Sequence, residues 1–406
     1  MEKLLKRFLR YISVNTQSNP DCAETPSSEG QWVLAKMLRE ELRELGINSE
    51  LDERCYLWAK LDSNIEKDIP GIGFIAHLDT SPDFCGEDVR AQVIEKYDGQ
   101  DIYLNKNKKL VLSTKDFPEL KRYKGETIIT SLGDTLLGAD DKAGIAEIVT
   151  ALEIVKSEKI LHGDIYIAFT PDEEIGRGAD FFDLSKFEAE YAYTIDGGEV
   201  GELQYENFNA AEATVLIRGI NIHPGTAKGK MVNSLSIANE IVSSLPEYER
   251  PEFTSNKEGF FHLHDIRGNV EKTVFKILIR DFSGEEFEKK KVFLKHTIDL
   301  FQEKYPKAEI FLEINESYRN MKEIIEKNLS IVESAFQAMK KNDILPLIRE
   351  IRGGTDGARL SYMGLPTPNI FTGGHNFHGN YEYISLQSME KAVKTIKEII
   401  QMTANG

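Results

Sequence analysis

Three apolar runs in the first half of the chain each end in acidic or histidine residues. They are IPGIGFIAHLDTSPD (69–83), GDIYIAFTPDEEIG (163–176) and EAEYAYTIDGGEVG (188–201). Continuous apolar runs of this length are typical of strands buried in a parallel sheet. Segments with helical periodicity lie before and between them, at 30–46 and 136–157. The alternation predicts an α/β domain with a mostly parallel sheet, whose ligands bind at the carboxyl ends of the strands.

The pattern changes at about residue 207. AAEATVLIRGI, TVFKILIRDF and AEIFLEINESY have the alternation of amphipathic strands, and segments with helical periodicity separate them. Near residue 318 glycine-rich loops with polar residues return. We therefore predict a smaller α+β domain inserted into the first one. The expected boundaries are 1–206 and 318–406 for the two parts of the catalytic domain and 207–317 for the insertion.

The composition of the chain indicates which binding partners and which cellular compartment to expect. The chain has 406 residues, more than one hydrophobic core usually supports, which agrees with two domains. Its formal net charge of -17 disfavours binding to nucleic acid or to anionic membranes, so we expect neither as a partner. Three cysteines (Cys22, Cys55, Cys85) are too few for a disulfide framework. Because the first residues also lack a secretory signal pattern, we expect a cytoplasmic protein.

The polar residues after the apolar runs are candidate metal ligands. His77 and Asp79 lie two apart on an extended segment, a spacing that a simple hydrogen-bonded pair would also explain. Asp140 stands at a helix start, where an acid can also serve as an N-cap. Adjacent Glu173 and Glu174 repel each other unless a cation offsets their charge.

Asp196 and His378 complete a set of acids and imidazoles that suits zinc, cobalt or manganese. With several carboxylates and two histidines, one acid can bridge two cations about 3.5–4 Å apart, and a free carboxylate can move the proton from water to the departing amine. The sequence contains no GxSxG, Walker, HExxH or GxGxxG motif that would support another chemistry.

Six segments together resemble the peptidase T family, the tripeptide aminopeptidase branch of the M20 metallopeptidases. They occur in the family's order along essentially the whole chain: AHLDTSPD, GADDKAGIAEI, TPDEEIGRGAD, IDGGEVGELQYENFNAA, IHPGTAKGKMVNS and IRGGTDGARLSYMGLPTPNIFTGGHNFHG. The resemblance implies two Zn²⁺ per subunit, and acid and imidazole ligands also suit Co²⁺ or Mn²⁺ as substitutes. It also implies a cis peptide between Asp140 and Asp141.

The same resemblance assigns roles to individual residues. Asp140 is expected to bridge the two ions, and Glu173 to act as general base while Asp79 orients His77. The expected ligands of one ion besides Asp140 are His77 and Asp196, and those of the other are Glu174 and His378.

The inserted domain is expected to be a lid that also forms a homodimer. In that arrangement His223 is presented to the partner's active site and stabilises the oxyanion. Arg280 and Arg352 are expected to hold the substrate carboxylate, and Asn233 the substrate backbone. We interpret His262 and His264 as sheet or interface residues, and His162, His296 and His375 as structural or solvated.

The resulting hypothesis is removal of the first residue from unblocked tripeptides. Another M20 activity is the main alternative: a dipeptidase, a carboxypeptidase or an N-acyl amino acid deacylase would share the metal cluster. A third hypothesis is a non-catalytic metal-binding homologue, which would lack a metal ligand or the general base. The five expected ligands and Glu173 are all present in the sequence.

Overall fold

A computed structural model describes residues 2–67, 69–105 and 110–405. The chain divides into two compact units. The first comprises Met1–Tyr205, Glu323–Arg349 and Thr355–Gly406, and the second comprises Glu206–Lys322 and Glu350–Gly354. None of the helices within these described ranges is both long enough and apolar enough to cross a lipid bilayer.

The regular elements are numbered in chain order. The α-helices are α1 Glu2–Ile12, α2 Glu29–Glu44, α3 Ala139–Ser157, α4 Ser234–Ser243, α5 Gly284–Lys304, α6 Lys322–Ile325, α7 Leu329–Lys341, α8 Asp356–Met363 and α9 Leu386–Asn405. The strands of the first half are β1 Asn48–Leu51, β2 Leu57–Leu61, β3 Ile72–His77, β4 Ala91–Ile94, β5 Ile102–Asn105, β6 Leu110–Leu112, β7 Ile128–Ser131, β8 Ile165–Thr170, β9 Tyr191–Gly197 and β10 Glu202–Gln204. Those of the second half are β11 Asn209–Arg218, β12 Phe260–Gly268, β13 Lys272–Asp281, β14 Glu309–Tyr318, β15 Leu347–Ile348, β16 Asn369–Phe371, β17 Gly374–His375 and β18 Tyr383–Ser385.

The main sheet of the first unit has the strand order β1-β2-β8-β3-β9-β16-β10-β15. Its centre, β8-β3-β9-β16, is parallel, which confirms the predicted α/β class. The sheet as a whole is mixed, since β1, β2 and β8 pair antiparallel and so do β10 and β16. Every residue of β3 and β8 is buried, as expected for strands covered on both faces. A second, antiparallel sheet has the order β17-β18-β7-β4.

Helix α3 is the central helix of the first unit. It is buried along nearly its whole length and packs against α1, α9 and β3. The second and third residues of this enclosed helix are Asp140 and Asp141. Helix α3 therefore places these two candidate site residues next to the core of the first unit.

Glu147 is an unusual acid within α3. Its side chain is fully buried, and neither carboxylate oxygen has a hydrogen-bond partner among the described residues. Burial raises the pKa of Glu147 well above its ordinary value. The folded chain therefore keeps this proton at pH values where the unfolded chain, with a glutamate pKa of about 4.3, has lost it.

We expect Glu147→Met to stabilise the protein increasingly as pH rises. Below the pKa of Glu147 in the unfolded chain, burying the protonated side chain does not lower the unfolding free energy of the wild type. Between that pKa and the pKa in the folded chain, the unfolding free energy falls by about 1.4 kcal/mol per pH unit. Methionine fills similar space without titrating. Urea unfolding of metal-free protein between pH 5 and 8 measures the difference. Glu158→Met, at a 56% exposed side chain just after the helix, is the control. Parallel stability curves for wild type and Glu147→Met would contradict the expectation.

The second unit consists of an antiparallel sheet in the order β12-β13-β11-β14 with helices α4 and α5 against it. Inward residues of β11 and β13, such as Val215, Ile217 and Phe275, form its core with α4 and α5. Strand β12 carries His262 and His264. The helices and the other three strands lie where the periodicity indicated them.

Residues 350–354 belong to the second unit, although the predicted boundaries assign them to the catalytic domain. Ile351 forms a β-bridge with Asn207. Glu350 is paired with Lys257 at 3.1 Å. Backbone pairing and charge thus hold this short segment against the second unit. The sequence pattern does not indicate that the chain returns to the second unit at residues 350–354, because five residues are too few to show periodicity.

Candidate metal centre

The predicted ligands converge in the first unit because neighbouring parallel strands end at one edge. His77 is the last residue of β3, and Asp196 lies near the end of β9, which pairs with β3. Strand β8 is followed by the turn that carries Glu173 and Glu174. The start of α3 adds Asp140. His378 comes from the loop between β17 and β18.

The first group of potential ligands is His77, Asp140 and Asp196. Nε2 of His77 lies 2.9 Å from Oδ1 of Asp140 and 3.5 Å from Oδ1 of Asp196. The His77 ring is 3% exposed. Burial disfavours the charged imidazole, but hydrogen bonds to the two carboxylates override this and raise its pKa.

The second group is Asp140, Glu174 and His378. Nε2 of His378 lies 3.0 Å from Oε2 of Glu174 and 3.2 Å from Oδ2 of Asp140. Hydrogen bonds to Asp140 and Glu174 raise the pKa of His378 to about 11. Asp140 therefore belongs to both groups, with one oxygen directed at each histidine.

These residues fit two metal ions. In each group the ligand atoms all lie within 4.8 Å of one another. Two ligands of one tetrahedral zinc ion lie about 3.3 Å apart, because the bonds are about 2.0–2.1 Å long. Oε1 of Glu174 is buried without a hydrogen-bond partner among the described residues. Burial, with the nearby charge of Asp140, raises the pKa of Glu174 to about 8, so a bound cation would favour its ionised form.

Asp79 connects the two glutamates to His77. Its backbone carbonyl lies 3.0 Å from Nδ1 of His77, and its carboxylate lies 3.3 Å from the same atom. The carboxylate accepts the backbone N–H of Glu173 at 3.0 Å and that of Glu174 at 3.1 Å. Asp79 thus contacts the imidazole at Nδ1, and its carboxylate also fixes the turn that carries both glutamates. No sequence pattern indicates the contact of Asp79 with the turn, because it is made to backbone N–H groups.

Glu173 lies in this turn but belongs to neither ligand group. Burial raises its pKa well above the ordinary value, while the nearby His77 lowers it. The preceding residue, Asp172, has a left-handed backbone, and its carboxylate accepts bonds from Ser27 and Gln31 at the start of α2. The turn is therefore held from two sides.

The peptide between Asp140 and Asp141 is cis, as the resemblance implies. Asp141 does not join the ligand groups. Its carboxylate accepts the backbone N–H of His77 and that of Gly144, each at 3.2 Å. A Cβ atom on Gly144 would lie 2.0 Å from the carbonyl oxygen of Ile195, so only glycine fits this close approach of α3 to β9.

Sequence reasoning missed three buried charged groups around the site. Asp356, at the start of α8, accepts a hydrogen bond from Thr170 at the end of β8. Lys142 in α3 donates to the carbonyl of Val14, and burial lowers its pKa to about 7. Glu382 accepts the backbone N–H groups of residues 137–140. These isolated residues carry no spacing signal, since their partners are distant in sequence.

The remaining predicted residues lie in the second unit. His223 is exposed and its Nδ1 accepts the N–H of Gly225, while Asn233 is the N-cap of α4. Arg280 donates from Nη1 to the carbonyl of Arg352 at 3.1 Å, and its buried Nε has no partner among the described residues. The Arg352 guanidinium donates to backbone carbonyls of its own unit. Arg280 therefore has the freer donors of the two.

Comparison with known proteins places the chain in a family. The model of peptidase family M20/M25/M40 matches residues 138–402. Peptidase T from Caldanaerobacter subterraneus subsp. tengcongensis is 54% identical over 404 residues, covering 99% of both chains. The crystal structure of aminopeptidase PepT from Bacillus cereus ATCC 10987 has a TM-score of 0.78 at 24% identity, covering 99% of this chain and 98% of its own.

A more distant structure shares the fold. It is the Bacillus subtilis YXEP protein, described as a dinuclear metal binding peptidase from the M20 family, with a TM-score of 0.66 at 12% identity over 100% of this chain and 99% of its own. The full-length identity to peptidase T and the family match agree with the motifs in the sequence. This chain therefore belongs to the M20/M25/M40 peptidase family, within its peptidase T group, and is a peptidase.

Proposed function

We propose that the chain is an aminopeptidase that removes the N-terminal residue from unblocked tripeptides with the help of two divalent ions. The observation that carries the proposal is the pair of ligand groups sharing Asp140, with Glu173 beside them and outside both. The names of its relatives, peptidase T and aminopeptidase PepT, support the same activity.

The two ions would be Zn²⁺, with Co²⁺ or Mn²⁺ as substitutes. His77, Asp140 and Asp196 would hold one, and Asp140, Glu174 and His378 the other. When bound, such a pair supplies Lewis-acid polarisation of a carbonyl and lowers the pKa of water.

Glu173 is our proposed general base. Its carboxylate would accept a proton from the attacking water and deliver it to the departing amine. Burial supports this role, since a raised pKa brings a carboxyl group towards the range in which it can both accept and release a proton. Asp79 would hold Glu173 and Glu174 through their backbone N–H groups and orient His77.

We further propose roles for residues of the second unit. Arg280 and Arg352 would bind the substrate carboxylate, and Asn233 the substrate backbone. His223, exposed on its own unit, would stabilise the oxyanion in the partner subunit of a homodimer.

The cellular setting proposed is the cytoplasm, where the enzyme would act on short peptides in the last steps of their breakdown. The three cysteines, Cys22, Cys55 and Cys85, are free thiols, as suits a reducing compartment.

The proposal is tested with an unblocked tripeptide, its N-acetylated form and the matching dipeptide, each with zinc and with chelator. We expect chelator-sensitive cleavage of the free tripeptide at its first bond and little of the others. A pocket built for a free ammonium rejects a blocked amine strongly, because its own polar groups are left unpaired. Preference for the acetylated peptide or the dipeptide would instead indicate another M20 activity.

A further inference from the structure

Glu382 binds four consecutive backbone N–H groups. Its side chain, just before β18, is almost completely buried. Oε2 accepts the N–H groups of Leu137 and Gly138 at 2.7 and 2.8 Å. Oε1 accepts those of Ala139 and Asp140 at 2.7 and 3.2 Å. The carboxylate thus uses both oxygens, each twice, on the segment that leads into Asp140.

The backbone of this segment is shaped for an anion. Gly138 has a left-handed φ of 78°, and successive N–H groups around such a residue can point to one side and form a concave nest. Hydrogen bonds from four donors offset part of the cost of burying this carboxylate, while burial still raises the pKa of Glu382 to about 7.

Glu382 also belongs to the loop that carries His378. The two residues are four apart, between β17 and β18. Internal bonds keep this loop compact: Asn376 donates from its side chain to the carbonyl of Tyr381 at 3.2 Å, and the Glu382 N–H donates to the carbonyl of Gly379 at 3.4 Å. Glu382 therefore connects the segment that carries Asp140 to the loop that carries His378. Both of these residues belong to the second ligand group.

We propose that Glu382 is a positioning residue that fixes Asp140 relative to His378. This inference rests on the proposed two-ion function, for which Asp140 is the shared ligand. Glu382 touches no substrate in this role and acts only through the backbone of residues 137–140. Partners that orient metal ligands in this way typically change metal affinity or activity by about 10–100-fold when they are replaced.

The first test measures amide hydrogen exchange of residues 137–140 in metal-free Glu382→Gln. The amide NH₂ of glutamine would face two backbone donors, so at least two of the four bonds are lost. We expect exchange in this segment to accelerate at least about tenfold. The control is Glu41→Gln in α2, where a largely buried carboxylate accepts bonds from Arg7, Arg10 and Tyr11 away from the site. It should leave residues 137–140 unchanged.

The second test is metal binding and kinetics. In Glu382→Gln we expect Mn²⁺ affinity to fall by about 10–100-fold, and the electron paramagnetic resonance signal of two coupled Mn²⁺ ions to weaken. With zinc in excess, kcat should fall by a similar factor while KM changes less than about twofold. Glu382→Asp keeps the charge but is one methylene shorter, so its Mn²⁺ affinity and kcat should lie between those of the wild type and Glu382→Gln. The same variant replaces Glu382→Gln in both tests if the glutamine variant does not fold.

The outcomes separate this inference from the proposed function. Unchanged exchange at residues 137–140 in Glu382→Gln, or equal effects in Glu41→Gln, would overturn the positioning role. Wild-type protein that binds fewer than two ions would overturn the two-ion proposal. The exchange measurement on metal-free protein would still report on Glu382.

Discussion

Glu173→Gln is expected to lower kcat by about 10²–10⁴-fold while leaving two metal ions bound per chain. The side chain lies outside both ligand groups, so its replacement removes no ligand. Glutamine has nearly the same shape and keeps the backbone N–H that Asp79 accepts. What it loses is the ability to take a proton from water.

The adjacent Glu174 provides the matched control. It lies in the same turn, and its backbone is also held by Asp79, but its Oε2 lies 3.0 Å from Nε2 of His378 within the second ligand group. Glu174→Gln should therefore weaken metal binding as well as turnover. The measurements are bound zinc after dialysis and kcat on a free tripeptide. Equal metal loss in both variants would show that Glu173 is a ligand and not the base.

The sequence was most informative where a functional residue follows an apolar run. His77, Glu173, Glu174 and Asp196 all come at or just after the ends of buried strands, and parallel pairing of those strands brings the residues together. The periodicity that predicts the strands thus also predicts the edge at which the ligands meet. Asp140 and His378 were candidates by residue type and glycine-rich surroundings alone, because helix starts and loops lack such a rule.

The supporting contacts could not be predicted in the same way. Glu382 lies 242 residues from Asp140 in sequence, and it binds backbone N–H groups, which every residue other than proline offers. No side-chain pattern marks such a partner. The outer strands β10 and β15 of the main sheet were missed for a related reason: they have too few residues for periodicity to distinguish them from loops.

Replacing the shared ligand should remove both ions at once. Asp140 faces His77 with Oδ1 at 2.9 Å and His378 with Oδ2 at 3.2 Å, so Asp140→Ala deletes one ligand from each group. Asp196→Ala deletes a ligand from the first group only. We therefore expect no tightly bound ion in Asp140→Ala and one in Asp196→Ala.

The affinity of Asp140→Ala for each ion should fall by more than about 100-fold. Replacing a residue that only hydrogen-bonds to a metal ligand already lowers metal affinity by about 10–100-fold. Turnover should fall by more than about 1,000-fold, since the ions supply several kcal/mol of transition-state stabilisation and each 1.36 kcal/mol is tenfold in rate. Equilibrium dialysis against Co²⁺ counts the ions in both variants. If Asp140→Ala and Asp196→Ala each kept one ion, Asp140 would belong to a single site, and the carboxylate directed at two histidines would need another explanation.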